Sequence, residues 1–226
     1  ILMKEKLDMV DRDIVYSLCQ YGWGDVWTWG EEVGGDLWRT TGDIVDTWES
    51  MSGIGFGQAG KEKYASPGYW NDPDMLVVGW VGWGPDLHYT RLSANEQYTH
   101  VSLWALLAAP LLLGNDLSKL DDFTLNLLTN DEVIAVNQDR LGKQAKQVVK
   151  NENIQVWAKE MYDGSIAVGL FNLVDDKKTI DLSFSDVGRS GNHVVRDLWR
   201  QKDEGTFIDR FSADVPPHGV KFIRIK

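Results

Sequence analysis

Two short segments carry the residues of this chain best suited to chemistry. In Trp38-Arg39-Thr40-Thr41-Gly42-Asp43, side chains alternate along an extended backbone, so Arg39, Thr41 and Asp43 share one face. Gly42 lets the chain turn beside them. A carboxyl held next to a guanidinium at a strand end suits a group that must both give and take a proton. An ordinary surface ion pair uses the same residue types. In Trp70-Asn71-Asp72-Pro73-Asp74-Met75-Leu76, Pro73 keeps Asp72 extended, and the spacing by itself reads as a tight turn.

A third segment, Ser17-Leu18-Cys19-Gln20-Tyr21-Gly22-Trp23, holds the only cysteine. A lone cysteine is usually a buried thiol, and a nucleophilic one needs an activating partner. The four histidines, His88, His100, His193 and His218, fall in loop, helix or strand-rich contexts that offer none. Eleven tryptophans are present, eight of them between residues 20 and 85. Trp23, Trp27 and Trp29 read as walls of a cleft whose rings stack on flat C–H faces, with core packing as the competing use. The run Gly55-Phe56-Gly57-Gln58-Ala59-Gly60 matches a dinucleotide-binding glycine pattern, yet it follows a helical stretch and precedes none, so that reading is rejected.

These residues need a scaffold, and the first 140 positions supply an alternating one. Strands are expected over Ile14–Leu18, Leu37–Thr41, Gly68–Trp70 and Ala109–Leu113. Helical patterns cover residues 1–13, Asp46–Ser52, Ala94–Ala108, Leu117–Thr129 and Asp131–Asn137. The second of these carries Asp46 and Glu49 in capping-box spacing. Alternation of this kind implies a parallel sheet whose working face lies at the strand C-termini. From residue 141 the pattern becomes strand and turn. Val148–Val149, Ile154–Ala158, Ile166–Leu170, Lys178–Phe184, His193–Asp197 and Val220–Ile225 suggest an antiparallel β-sandwich over residues 141–226.

Composition narrows the function. A net charge of −11 over 226 residues argues against nucleic-acid binding, which needs clustered Lys and Arg. One cysteine excludes an internal disulfide framework and a CxxC zinc site. No apolar run is long enough to form a membrane-spanning helix. Neither a metal nor a cofactor motif is present. Absence of an Asn-x-Ser/Thr sequon, with a single cysteine, suggests a secreted or periplasmic bacterial origin.

The motifs taken together resemble glycoside hydrolase family 27, the α-galactosidase family. Matching runs are Tyr16–Cys19, Trp38–Ile44, Gly68–Leu76, Ala108–Leu111 with Asn115–Leu117, and Val133–Asp139. The resemblance implies an α/β fold: the C-terminal half of a (β/α)8 TIM barrel, strands five to eight, followed by an antiparallel β-sandwich domain. It implies a retaining exo-glycosidase that removes terminal α-D-galactosyl residues from an oligosaccharide or glycoside by double displacement. By motif, Asp43 corresponds to the general acid/base, Arg39 to a sugar-binding arginine, Met75 to a pocket-lining residue and Trp29 to a pocket wall. Cys19 corresponds to a cysteine paired with one just after the nucleophile. Gln20 corresponds to a position contacting sugar hydroxyls. Gln20-Tyr21 replaces the family's common Glu-Trp, which leaves β-L-arabinopyranosidase and α-N-acetylgalactosaminidase as alternative specificities. A non-catalytic carbohydrate-binding protein is a further alternative, disfavoured because it has no need of the Arg39–Asp43 pair.

The family's Lys-(Phe/Tyr)-Asp-x-Cys strand, which carries the nucleophile, is not found; Met161-Tyr162-Asp163-Gly164 reads as a hairpin turn instead. The start of the chain, a helix leading into a strand, looks like the middle of an alternating α/β sequence. The chain is therefore expected to lack strands one to four, to be inactive and poorly stable alone, and to take as its partner the other barrel half, in the same polypeptide or a separate one.

Overall fold

A computed structural model describes residues 2–226. Its first part comprises α1 (Leu2–Leu7), β1 (Ser17–Leu18), β2 (Leu37–Arg39), α2 (Trp48–Phe56), β3 (Trp70–Asp72), β4 (Trp80–Val81), β5 (His88–Tyr89), α3 (Ala94–Leu106), α4 (Asp122–Thr129) and α5 (Asp131–Asn137). β1, β2 and β3 form a parallel sheet in that order, with Leu18 opposite Trp38 and Arg39 opposite Asp72. A parallel bridge between Leu76 and Leu113 extends the same layer. The expected strand Ala109–Leu113 is reduced to this bridge. The chain is thus a partial barrel whose strand C-termini all point the same way.

The second part contains β6 (Lys146–Lys150), β7 (Ile154–Glu160), β8 (Ile166–Asn172), β9 (Lys178–Ser183), β10 (Asn192–Asp197), β11 (Lys202–Ile208), β12 (Arg210–Val215) and β13 (Val220–Ile225). Six strands make one antiparallel sheet, ordered β11-β10-β13-β8-β7-β6, and β12 pairs with β9 opposite it. Between the layers lie Val156, Val168, Leu170, Ile180, Leu182, Phe184 and Ile223, all buried. Strands β11 and β12 are absent from the sequence reading. Residues 202–206 on β11 are all exposed and include Gly205, so no hydrophobic alternation marks the strand.

Helix α3 joins the two parts. Nine of its thirteen residues are buried, as befits a helix covered on several sides. Leu103, Trp104 and Leu106 share one apolar cluster with Trp157, Phe171 and Phe222 of the sandwich. The approach is close enough that a Cβ on Gly169 would lie 2.8 Å from Leu106 Cδ1. His100, fully enclosed on α3, accepts a hydrogen bond at Nε2 from the Val77 amide, and burial pushes its pKa down to about 3. It is therefore a neutral core group, closed off from solvent.

One expected cap is displaced. Helix α2 begins at Trp48, with Thr47 as N-cap accepting from Ser50 N, because Asp46 is diverted to Arg91 and His88. The capping box lies at α3 instead, between Ser93 and Glu96. The rejected glycine pattern sits at the end of α2, where the buried Gln58 bonds Thr40. Leu117–Thr129 is split by Asp121, which caps α4.

Lys159 on β7 is buried, and its Nζ donates to the Val136 carbonyl 2.6 Å away near the end of α5. Desolvation lowers its pKa from 10.5 to about 8, opposed by Asp139. The folded chain then binds fewer protons than the unfolded chain between those values, so Lys159 makes stability rise with pH from about 8 to about 10.5. The Lys159→Met variant should lose that rise relative to the parent, measured by urea unfolding at stepped pH.

Candidate active site

The residues singled out from sequence fall on the turns that follow three adjacent strands. β1 leads into Cys19, Gln20 and Tyr21; β2 ends at Arg39 and turns toward Asp43; β3 ends at Asp72 and turns through Asp74 to Met75. Arg39 Nη2 donates to Asp43 Oδ1 at 3.1 Å across the bend at Thr41–Gly42, because β2 ends at Arg39 and not at Thr41 as expected. The guanidinium is largely buried, whereas the Asp43 carboxylate is 71% exposed. Asp43 is thus held on one side and open on the other, the arrangement a proton donor to an incoming group requires.

Asp74 does more than form a turn. Its Oδ2 lies 2.8 Å from Arg39 Nη2, and both side chains are about nine-tenths buried. The same oxygen accepts from the Ile44 amide at 2.8 Å, just past Asp43, while Oδ1 accepts from Met75 N. Its carbonyl accepts from the buried Trp104 indole. Asp74 adopts φ 84°, a left-handed conformation uncommon outside glycine and Asn/Asp. Asp72 holds that turn by accepting from Asp74 N at Oδ1, and burial raises the Asp72 pKa. Sequence reading passed over Asp74 because Asp-Pro-Asp is ordinary turn chemistry. The signal was the second carboxylate, one strand away from an otherwise half-paired Arg39.

Tyr21 closes the cluster. The Arg39 guanidinium stands over its ring at 5.5 Å, and its own backbone is left-handed at φ 53°. Its hydroxyl pKa is raised, first by a hydrogen bond to the Cys19 thiol and then by the Asp43 charge. The next residue must be glycine: a Cβ on Gly22 would lie 2.3 Å from the Thr40 carbonyl. Cys19 is a free, exposed thiol among the described residues, contrary to the buried position usual for a lone cysteine, because β1 stops at Leu18 and carries the next residue out of the sheet.

The remaining candidates separate. Gln20 is exposed on the β1 turn. Met75 is partly buried, and its sulfur leaves no room for a Cβ at Gly114. Trp29 packs against Leu18, Val26 and Trp38 and donates its indole N–H to the Gly24 carbonyl. Trp27 is covered by the Lys61 ammonium at 4.7 Å, and Trp23 is 76% exposed. Arg39 Nε, buried, has no hydrogen-bond partner among the described residues.

A latch flanks the cluster. Asp46, three residues past Asp43, receives Arg91 and His88, the latter from the β4–β5 hairpin. Desolvation would raise the Asp46 pKa, but the hydrogen bonds from Arg91 and His88 outweigh it and hold the pKa at about 2. Its stabilising contribution is therefore present above the unfolded value near 3.8 and is lost as pH falls toward 2. Asp46→Asn should flatten the acid limb of the stability profile between those values, followed by circular dichroism. Asp74→Ala leaves Arg39 buried opposite only an exposed carboxylate; a loss of about 3–5 kcal/mol in urea unfolding is expected.

Comparison with known proteins places this geometry. Residues 1–139 match the family model described as alpha galactosidase A, and residues 151–225 match the alpha galactosidase C-terminal beta sandwich domain. An α-galactosidase from Cyamopsis tetragonoloba is 41% identical over 212 residues, covering 93% of this chain and 49% of that protein. Alpha-galactosidase 2 from Arabidopsis thaliana is 42% identical, covering 93% and 51%. A solved structure of a family 27 β-L-arabinopyranosidase from Geobacillus stearothermophilus superposes with a TM-score of 0.92 at 31% identity, covering all of this chain and 52% of that one. The chain spans about half the length of the curated relatives it matches. With barrel strand ends, sandwich and motifs in agreement, the chain belongs to glycoside hydrolase family 27, the α-galactosidase family.

Proposed function

We propose that this chain supplies the acid/base half of a retaining exo-glycosidase acting on terminal α-D-galactosyl residues, with residues 1–140 as the catalytic part and 141–226 as its support. The observation that carries the reading is the Arg39–Asp43 pair: one carboxylate exposed at the strand ends and held by a buried guanidinium. Asp43 protonates the glycosidic oxygen as the sugar leaves. It then takes a proton from the water that attacks the glycosyl-enzyme. The nucleophile is an aspartate on strands that complete the barrel, with its carboxyl about 5–5.5 Å from Asp43, as retention requires. The chemistry uses two carboxyls and calls for no metal or cofactor.

Arg39 has two duties. Its buried pairing with Asp74 fixes the guanidinium, and the guanidinium so fixed holds Asp43 through Nη2 and donates to a sugar hydroxyl. Asp74 also keeps the site charge in order. When Asp43 is protonated, Arg39 still faces a carboxylate, so the proton can cycle without stranding a buried cation.

β-L-arabinopyranosidase activity is the second reading. It is favoured by the likeness to the Geobacillus enzyme and by Gln20-Tyr21 on the β1 turn. The two sugars differ by a hydroxymethyl group, so the preference is a matter of pocket size and one hydrogen-bonding group.

In the completed enzyme, Asp43→Asn should lower turnover of substrates with poor leaving groups by about a hundredfold or more, with a smaller loss on p-nitrophenyl glycosides. Near-normal rates on the poor substrates would refute the assignment. Parallel assays on p-nitrophenyl α-D-galactopyranoside and β-L-arabinopyranoside decide between the two specificities. The 226-residue chain alone should turn over neither; activity without the complementary half would overturn the division of labour.

A further inference from the structure

One hollow is lined by none of the residues on the turns after β1, β2 and β3. It occupies about 540 Å³ in a trough floored by β10 and β13, with β12 on one side and the start of α3 on the other. That volume is within the range of small-ligand sites, about 300–1,000 Å³. A second hollow of about 290 Å³ shares Tyr98, Trp199 and Arg200 with it, so the two adjoin across those residues.

The walls are fixed before any ligand arrives. Tyr98 and Trp199 meet edge to face with centroids 4.7 Å apart, and the Trp199 indole donates to Ser102 Oγ on α3. Phe207 is held edge to face by Phe211 at 5.0 Å. On the floor, Lys221 Nζ donates to Asp197 at 2.6 Å and to Glu204 at 2.5 Å, with Asp197 buried. Arg200 lies 3.7 Å from Asp197 and 3.9 Å from Glu204, with its side chain 72% exposed. The trough thus presents both signs of charge in mutual contact.

We propose that this trough is a second, non-catalytic binding site for a neutral oligosaccharide. The contacts of Lys221 and Arg200 with Asp197 and Glu204 offset most of the charge, and their free lone pairs and N–H groups face hydroxyls of either polarity. Aromatic edges and faces beside them suit the C–H surface of a pyranose ring. The adjoining hollows suit a chain of rings rather than one. The aromatic residues come from α3 and from the β10–β11 region together, so the site exists only where the barrel helix and the sandwich meet.

The site is independent of the Asp43 chemistry, which keeps the two readings separable. The test is a nitrogen-15 correlation titration of the full chain with raffinose and with a galactosyl-mannotriose. Expected are shifts at the Trp199 indole N–H and at the Tyr98, Arg200, Glu204 and Phe207 amides, unchanged in Asp43→Asn. Arg200→Ala, an exposed change that leaves the walls intact, should weaken the galactosyl-mannotriose by about tenfold. Shifts confined to the Arg39–Asp43 region, no shifts at all, or trough shifts whose titration midpoint Arg200→Ala leaves unmoved would each overturn the proposal.

Discussion

The Arg39–Asp74 ion pair is the constraint on which the rest of the strand-end geometry depends. Two opposite charges about nine-tenths buried and 2.8 Å apart are costly to desolvate, and such a pair contributes less to stability than to position. Position is what this one supplies. Through a single carboxylate, the turn after β3 holds the arginine of β2 and caps the amide just past Asp43. The strained φ at Asp74 and the Asp72 bond that maintains it are consequences of the same demand. The exposed acid is therefore located by a neighbour one strand away more than by its own segment.

Much of this was legible in the sequence, for identifiable reasons. Trp38–Asp43 could be read as a site because an Arg and an Asp flank a glycine at an expected strand end, although the two meet across the bend after Arg39 and not along an extended strand. The three parallel strands and the helices through Asn137 followed from apolar periodicity, whereas the short β4–β5 hairpin did not. Illegible features had no local signature. Asp74 looks like any turn aspartate until the adjacent strand is known. Asp46 looks like a helix cap until Arg91, 45 residues later, takes its carboxylate. β11 is exposed over most of its length, opens with three charged residues and is a strand only because β10 offers it a ladder. Tyr21 read as a departure from a motif, and only packing shows that its ring lies under Arg39.

The two parts of the chain share one apolar cluster at their junction, beside the sandwich's own interior. Leu103, Trp104 and Leu106 belong as much to the sandwich as to the barrel. Polar ties reinforce the joint: Thr99 donates to the His218 carbonyl, Asn130 to the Leu198 carbonyl, and Arg196 pairs with Glu132. The sandwich still bears on the strand-end cluster. It covers the helix that anchors the Asp74 turn through the Trp104 indole.

One of those ties reaches further. The Trp48 ring lies flat on His218 at 4.0 Å, with an interplanar angle of 6°, while His218 also meets Glu96. Trp48 opens the helix that begins five residues after Asp43. The sandwich therefore reaches the acid-bearing loop through one aromatic stack. Chimeras that exchange the C-terminal domain between relatives inherit this contact as a compatibility requirement: a donor lacking a flat ring at the position of His218 would free the Trp48 end of the loop, even if every hydrophobic residue of the joint were matched.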